Sequence, residues 1–185
     1  MKITRLAIPD VLCIEPQVFE DARGFFFESY NQQQLDDALG RPARFVLDGH
    51  SRSEKNVLRG LHYQIKQTQA KLVRVVAGKV FDVAVDLRKS SPTFGRWVGT
   101  TLSAENKQMM WIPEGFAHGF AVLTDSAELV YKMTDYWAPQ HERCLRWNDP
   151  ALGIDWNLTG APLISDKDRM GLTLAEAVAR AEVFV

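Results

Sequence analysis

The chain has 185 residues, 46% of them hydrophobic, which is enough for one domain with a substantial core and too short for two. Its 22 Lys and Arg residues nearly balance 23 Asp and Glu residues, so the formal net charge is -1. This excludes the basic composition typical of proteins that bind nucleic acid or anionic membranes, and any anionic ligand must be held by local charge. We expect a single domain over residues 1–185.

The N-terminal segment does not predict an export signal. Pro9, Asp10 and Glu15 interrupt its apolar stretch, and no window of the chain reaches the length of a membrane span. The two cysteines, Cys13 and Cys144, lie far apart and outside the Cys/His spacings typical of zinc sites or disulfide frameworks. We therefore expect a protein of the reducing cytoplasm with no resident metal.

Most of the secondary structure that the sequence predicts is β-strand. Helical signals are confined to residues 31–39 and 172–181. Short runs rich in Val, Phe, Tyr, Trp and Thr, separated by turn residues, predict strands between them. The clearest predicted strands cover residues 58–64, 71–76, 79–87, 96–102, 118–123 and 128–137. This pattern predicts an all-β fold, an antiparallel barrel or sandwich, with a few short peripheral helices.

A histidine in LRGLHYQ is the first candidate for chemistry. His62 lies between Leu61 and Tyr63, so we expect its imidazole in partly apolar surroundings. Taken alone, such a histidine is more often a hydrogen-bonded core residue than a catalytic base. Only its neighbours from elsewhere in the chain distinguish the two interpretations.

Two polar side chains fall on inward faces of predicted strands. Alternation along KLVRVV places Lys71 on an apolar face, where an ammonium group is costly unless it meets an anion or reaches solvent at the strand end. In AELVYKMTDYW, Tyr131 shares a face with Leu129 and Met133, so its hydroxyl needs a partner. An ordinary tyrosine lining a barrel fits the same pattern.

Two further segments carry polar candidates. In WIPEGFAHGF a turn precedes a strand that opens with His118, a position suited to the rim of a cavity. SDKD offers Lys167 and Asp168 in what reads as a polar loop, where a solvated charge cluster is the ordinary explanation. Neither segment alone indicates a function.

Long segments in a fixed order carry a resemblance to a known family. They are VFEDARGFFFES, HSRSEKNVLRGLHYQ, KLVRVVAGKVFDVAVDLRKSSPTFGRWVG, LSAENKQMMWIPEGFAHGF, LVYKMTDYW and WNDPALGIDW. On these segments the sequence resembles the dTDP-4-dehydrorhamnose 3,5-epimerases along almost its whole length. The resemblance implies a cupin-type jelly-roll barrel, a homodimer and no cofactor. It also implies epimerisation of dTDP-4-keto-6-deoxyglucose at carbons 3 and 5, through an enolate, in dTDP-L-rhamnose biosynthesis.

The resemblance implies a role for each matching residue. His62 is the base, Asp168 orients it, Tyr131 is the acid on the opposite face of the sugar, and Lys71 lies near the keto oxygen. Trp137 stands where the family usually has a tyrosine that stacks on thymine. The remaining matches imply contacts to the nucleotide and diphosphate, at Arg23, Glu28, Asp48, Arg59, His118, Glu142 and Lys167.

Two features of the sequence depart from a simple picture. The family commonly reads Gln-Asp-Asn before HSRS, whereas this chain has Leu47, Asp48 and Gly49, so two side-chain contacts to ligand are missing from that loop. Arg59 and His62 lie three positions apart, so a regular strand would point them to opposite faces, although both should face the ligand. A β-bulge at Gly60 resolves this conflict, and we predict one there.

Three alternatives remain open from the sequence. A single-site epimerase or ketoisomerase of the same fold uses related substrates and overlapping residues. A metal-dependent cupin needs several convergent histidines, and the H-x-H pair is absent because LHYQ has one imidazole followed by Gln64. A non-catalytic sugar-nucleotide binding module gives no reason to bring His62, Asp168 and Tyr131 together.

Overall fold

The computed structural model describes all 185 residues, Met1–Val185, and contains thirteen strands, three short α-helices and one 3-10 turn. The helices are α1 (Gln32–Leu39), α2 (Asp166–Arg169) and α3 (Leu174–Ala179). The strands are β1 (Lys2–Arg5), β2 (Leu12–Glu15), β3 (Val18–Asp21), β4 (Gly24–Phe27), β5 (Leu47–Glu54), β6 (Leu58–Gln64), β7 (Lys71–Ala77), β8 (Lys79–Asp86), β9 (Trp97–Ser103), β10 (Met109–Ile112), β11 (Phe116–Val122), β12 (Ser126–Met133) and β13 (Glu142–Cys144).

Two open antiparallel sheets form the body of the molecule. The six-stranded sheet has the order β1-β2-β10-β7-β12-β5, the five-stranded sheet has the order β13-β6-β11-β8-β9, and β3 and β4 form a separate hairpin. The main core lies between the two sheets, with Val73 and Leu129 from one and Ala84 and Phe120 from the other. The all-β, jelly-roll prediction is confirmed, although the sheets face one another without closing into a continuous barrel.

Both outer faces of this sandwich are covered, which explains why its central strands are buried on both sides. In β11 every residue is buried, and in β8 all but the first are. Segments from the C-terminal third, including Trp156 and Ala177, pack on the outer face of the five-stranded sheet. Helix α1 packs Leu35 on the outer face of the other sheet, against Trp111.

The predicted helices are confirmed, and their ends follow from capping. The Asn31 side chain accepts a hydrogen bond from the first turn of α1, and Thr173 forms a capping box with Glu176 at α3. None of the helices is both long enough and apolar enough to span a membrane.

Three element predictions are wrong, each for a tertiary reason. The segment before HSRS is not a loop but the start of β5, an edge strand whose outward residues are polar because they face solvent. SDKD is not a loop either, because Ser165 caps the short helix α2. The strand predicted over residues 128–137 ends at Met133, where pairing with β5 and β7 stops.

The predicted bulge at Gly60 is confirmed. His118 pairs with His62 and Phe120 pairs with Arg59, so three residue steps of β6 span two steps of β11. Gly60 has φ +128°, and a Cβ added there would lie 2.5 Å from Cα of Gly119, so only glycine fits. The extra residue restores a common face for Arg59 and His62.

Candidate active site

A histidine and a buried carboxylate form the centre of the site. His62 Nε2 lies 2.5 Å from Asp168 Oδ1, and the Asp168 side chain is 2% exposed. The backbone N–H of Gly60 donates to the other carboxylate oxygen, and the Ser165 hydroxyl accepts from the backbone N–H of Asp168. Because Nε2 is engaged, Nδ1 is the ring nitrogen left to exchange a proton with a ligand.

The surroundings of this pair keep the carboxylate ionised. Burial raises the pKa of Asp168, but the hydrogen bonds from His62 and from the Gly60 N–H together lower it by more. The pKa of Asp168 therefore lies below its usual value. Burial and the neighbouring Asp168 charge raise the pKa of Cys144 to about 12, so its thiol stays neutral. Asp168 is therefore anionic, whereas the thiol of Cys144 beside it is neutral.

A second histidine-carboxylate pair lies beside the first. His118 Nε2 lies 3.0 and 3.1 Å from the two carboxylate oxygens of Asp82, and both side chains are buried. Burial lowers the pKa of His118 by more than Asp82 raises it, so the imidazole is neutral at neutral pH. His118 was predicted as a ligand contact but Asp82 was not predicted at all. An aspartate within the apolar run KVFDVAVD was the signal that could have identified it.

Lys71 lies on the inner face of β7, as alternation predicts, on the same side as the buried Val73. Burial lowers the pKa of Lys71 to about 8, while the charges of Asp82 and Glu142 raise it and Lys167 lowers it. Two anions thus help the ammonium group remain protonated in a mostly apolar setting.

A cavity of about 570 Å³ opens beside His62 and Asp168. Arg59 and Lys167 also line it, so the local positive charge expected for an anionic ligand is present. Arg59 Nε donates to Ser53 Oγ at 2.9 Å, which joins β6 to β5 in the facing sheet. A cavity of this volume is in the range that holds a small organic ligand.

Tyr131 belongs to the sheet that faces His62. It pairs with Val73 on one side and Gly49 on the other, and it packs against the core between the sheets. A Cβ added to Gly49 would lie 2.4 Å from Cε2 of Tyr131, so the ring leans over the glycine. Packed sheets lie about 10 Å apart, which leaves room for one sugar ring between side chains from opposite sheets.

His62 and Tyr131 nevertheless line different cavities. Tyr131 borders a cavity of about 350 Å³ together with Asp48, Arg74 and Lys132. Arg74 and Lys132 alternate with the inward residues of their strands, so this cavity lies mainly on the outer side of the six-stranded sheet. The convergence of the two rings on one ligand therefore stays a prediction.

Four of the predicted ligand contacts lie outside the His62 network. Arg23, on the β3–β4 hairpin, pairs with Asp21, and Glu28 accepts from the side chains of Asn31 and Gln34 at the start of α1. Asp48 forms an ion pair with Lys132 on the outer face, and Trp137 is 62% exposed. By contrast, the structure brings Arg59, His118, Glu142 and Lys167 together with His62, Lys71 and Asp168.

Cys144 is a neighbour that sequence spacing did not reveal. It lies directly opposite His62 in the β13–β6 pairing, and its Sγ is 3.7 Å from Asp168 Oδ1. The cysteine spacings in the sequence did not predict this contact. The reason is that an 82-residue separation in sequence says nothing about which strands pair.

Comparisons with known proteins show the family to which the chain is similar. A family model described as dTDP-4-dehydrorhamnose 3,5-epimerase matches residues 5–176. The chain is 67% identical over 177 residues to the dTDP-4-dehydrorhamnose 3,5-epimerase of Pseudomonas aeruginosa, across 96% of this chain and 98% of the relative. It is 40% identical over 178 residues to the dTDP-4-dehydrorhamnose 3-epimerase of Streptomyces niveus, across 96% and 86%.

A solved structure gives the same result. The dTDP-6-deoxy-D-glucose-3,5-epimerase of Legionella pneumophila, in complex with dTDP-4-keto-L-rhamnose, matches with a TM-score of 0.94 and 51% identity. The match covers 97% of this chain and 95% of that one.

Proposed function

The chain belongs to the dTDP-4-dehydrorhamnose 3,5-epimerase family, and from this premise we infer that it inverts carbons 3 and 5 of dTDP-4-keto-6-deoxyglucose. This is a step of dTDP-L-rhamnose biosynthesis. A hydrogen beside a ketone is acidic because the carbanion delocalises onto oxygen, so the reaction needs a base, an acid and an oxyanion stabiliser. The observation that carries the proposal is the His62–Asp168 pair at the wall of the cavity.

His62 is the base, and Nδ1 is the atom that accepts the proton. Its other nitrogen donates to Asp168, which fixes the tautomer and stabilises the imidazolium formed on proton abstraction. Asp168 acts as an orienting group and does not itself remove the proton. The lowered pKa of Asp168 supports this role, because the ionised carboxylate is the form that stabilises an imidazolium.

Tyr131 donates its phenolic proton to the other face of the enolate, and exchange with solvent then restores the phenol and the neutral imidazole of His62. Inversion requires two groups on opposite sides of the sugar, because a single histidine exchanges the proton with retention. The position of Tyr131 on the sheet that faces β6 supports this assignment.

Lys71 stabilises the enolate oxygen. A preorganised cation that meets charge developing only in the transition state contributes about 3 kcal/mol in a water-poor site. Its neighbours Asp82 and Glu142 support the role, because both raise the pKa of the ammonium group. The enolate chemistry involves no change of oxidation state, so we expect activity without a cofactor or metal.

Arg59 and Lys167, which line the cavity, hold the diphosphate, while Glu142, which accepts from Lys167, and His118, which pairs with His62, supply further contacts beside it. Arginine suits this task because its planar fork makes bidentate contacts to phosphate. The exposed indole of Trp137 stacks on thymine, and Asp48 supplies the remaining polar contact.

The active form is a homodimer joined through the β3–β4 hairpin. Phe19, Phe25 and Phe26 are 55%, 61% and 66% exposed on this hairpin, a patch typical of an interaction surface. Docking of the hairpin on a second copy carries Arg23 and Glu28 towards the partner's cavity, which accounts for their distance from His62 in their own chain. A cytoplasmic location fits the two free cysteines.

Incubation with dTDP-4-keto-6-deoxyglucose in heavy water tests the reaction. Deuterium located by NMR should appear at both carbon 3 and carbon 5 of the product, and His62→Ala should abolish label at both. Label at carbon 3 alone would reassign the chain to the single-site epimerases, the activity named for the Streptomyces niveus relative.

A further inference from the structure

Three metal-binding side chains meet on the inner wall of the site. Cys144 Sγ lies 3.7 Å from Asp168 Oδ1, which lies 2.5 Å from His62 Nε2. The three donor atoms lie within 4.8 Å of one another, and no two of the residues are neighbours in sequence. They come together because β13 pairs with β6 and because α2 packs on β6.

We propose that His62, Cys144 and Asp168 form an inhibitory Zn²⁺ site. Zinc takes nitrogen, sulfur and oxygen ligands in tetrahedral geometry, with donor atoms about 3.3–3.8 Å apart. The sulfur-oxygen separation already fits this geometry, and the nitrogen-oxygen separation has to widen by about 1 Å. The fourth position is left for water, because His62 and Asp168 line the cavity.

The donor set selects zinc over the commoner divalent cations. Mg²⁺ and Ca²⁺ prefer oxygen ligands alone, whereas a thiolate and an imidazole favour zinc. A bound ion releases the thiol proton of Cys144 to solvent, because its charge stabilises the thiolate, and the single hydrogen of the neutral His62 ring moves from Nε2 to Nδ1 so that Nε2 can coordinate.

Zinc at this position removes the base. A neutral imidazole has one nitrogen with a free lone pair, and coordination through Nε2 uses that lone pair and places the hydrogen on Nδ1. Nδ1 is the atom to which we assign proton abstraction, so the metal-bound histidine cannot accept a proton from the sugar. Inhibition rests on that proposed role of His62, whereas metal binding does not.

Cobalt binding without substrate tests the site independently of activity. Co²⁺ stands in for zinc, and a thiolate ligand gives a charge-transfer band in the near ultraviolet. We expect the wild-type protein to bind one Co²⁺ with this band, and Cys144→Ala to lack it. Cys13→Ala is the matched control, since Cys13 lies on β2, away from the site, and this variant should retain the band. A cobalt complex of the wild type without a thiolate band would overturn the proposal.

Inhibition by added Zn²⁺ tests the consequence. The wild type and Cys13→Ala should lose turnover and regain it with a chelator. Cys144→Ala should turn over normally without zinc and need at least roughly tenfold more zinc for half-inhibition. Equal sensitivity of Cys144→Ala and wild type would contradict the proposal. Failure of the epimerase assignment itself would leave the cobalt result unchanged, so the two failures are distinguishable.

Discussion

At His62, hydrogen bonding determines which atom of the ring is available for chemistry. Asp168 engages Nε2, so the neutral ring carries its hydrogen there and presents the Nδ1 lone pair. In the mechanism that we propose, the same contact stabilises the imidazolium formed on proton abstraction. The charge and the position of Asp168 are thus both needed, and they are separable by mutation.

Replacing Asp168 with Asn keeps the size of the side chain and removes its charge. The amide no longer stabilises the imidazolium, and it can hold the ring in the wrong tautomer, so we expect kcat to fall about a thousandfold. KM should change little, because Asp168 binds the base and not the substrate. Steady-state kinetics would measure both, and an unchanged kcat would remove Asp168 from the mechanism.

The lowered pKa of Lys71 predicts how activity depends on pH. Its ordinary pKa of 10.5 is lowered to about 8, so the ammonium form is complete below that value and is lost as pH rises through it. We therefore expect kcat to fall as pH rises past about 8. Lys71→Arg, which stays charged, should move this descending limb to higher pH and is the matched control.

Asp82 should also affect the pH at which kcat falls, through its effect on the pKa of Lys71. The Asp82 charge raises the pKa of Lys71 against the effect of burial, so Asp82→Asn should move the fall in kcat to lower pH. A merely structural role for Asp82 would lower the amount of folded protein without moving the pH profile.

At the scale of elements, a bulge in β6 and a glycine in β5 position the side chains to which we assign the reaction. The bulge in β6 brings Arg59 and His62 onto one face, and β5 leaves the space over Gly49 into which Tyr131 leans. Neither feature is a matter of strand propensity. Each depends on the close approach of a neighbouring strand, which explains why glycine occurs at both places.

Gly49→Ala should displace the phenol ring. The new Cβ would lie 2.4 Å from Cε2 of Tyr131, so the ring must rotate away, at a cost of about 1–3 kcal/mol in stability. We expect inversion to fall more than deuterium exchange, because proton abstraction by His62 remains. Ser51→Ala is the control on the same strand, since the Ser51 hydroxyl is buried without a hydrogen-bond partner. Equal losses of exchange and inversion would place Tyr131 outside the second proton transfer.

At the scale of the whole molecule, the site gathers residues from both sheets and from the C-terminal third. Arg59 joins the sheets through Ser53, and Lys167 reaches Glu142 from α2. The β3–β4 hairpin forms its own two-stranded sheet and exposes aromatic side chains. A second copy of the chain is the partner that we propose for it.

Mixing two inactive variants tests whether subunits share sites. His62→Ala lacks the base, and Arg23→Ala lacks a ligand contact that we assign to the partner's site. Hybrid dimers formed by mixing carry one site in which both defects coincide and one intact site, so about a quarter of wild-type activity should return. A mixture that stays inactive, although hybrid dimers are seen by native mass spectrometry, would place Arg23 in the site of its own chain.

The sequence by itself determined what depends on local patterns. Alternation predicted the strands and the inward faces of Lys71 and Tyr131, and the parity conflict between Arg59 and His62 predicted the bulge at Gly60. Long segments with a fixed order indicated the family. The strands and the bulge are each encoded by residues that lie close together in the sequence, and the family resemblance rests on the order of such local segments.

Only the tertiary structure determined which distant residues meet. His62 and Asp168 are 106 positions apart, and His118 and Asp82 are 36 apart, so their contacts depend on which strands pair and where α2 packs. The same pairing buried Asp168 where a solvated loop was expected and set Cys144 opposite His62. It left Arg23 and Trp137 away from the base, because side-chain pattern fixes a residue's face on its own strand and not the partner that the face meets.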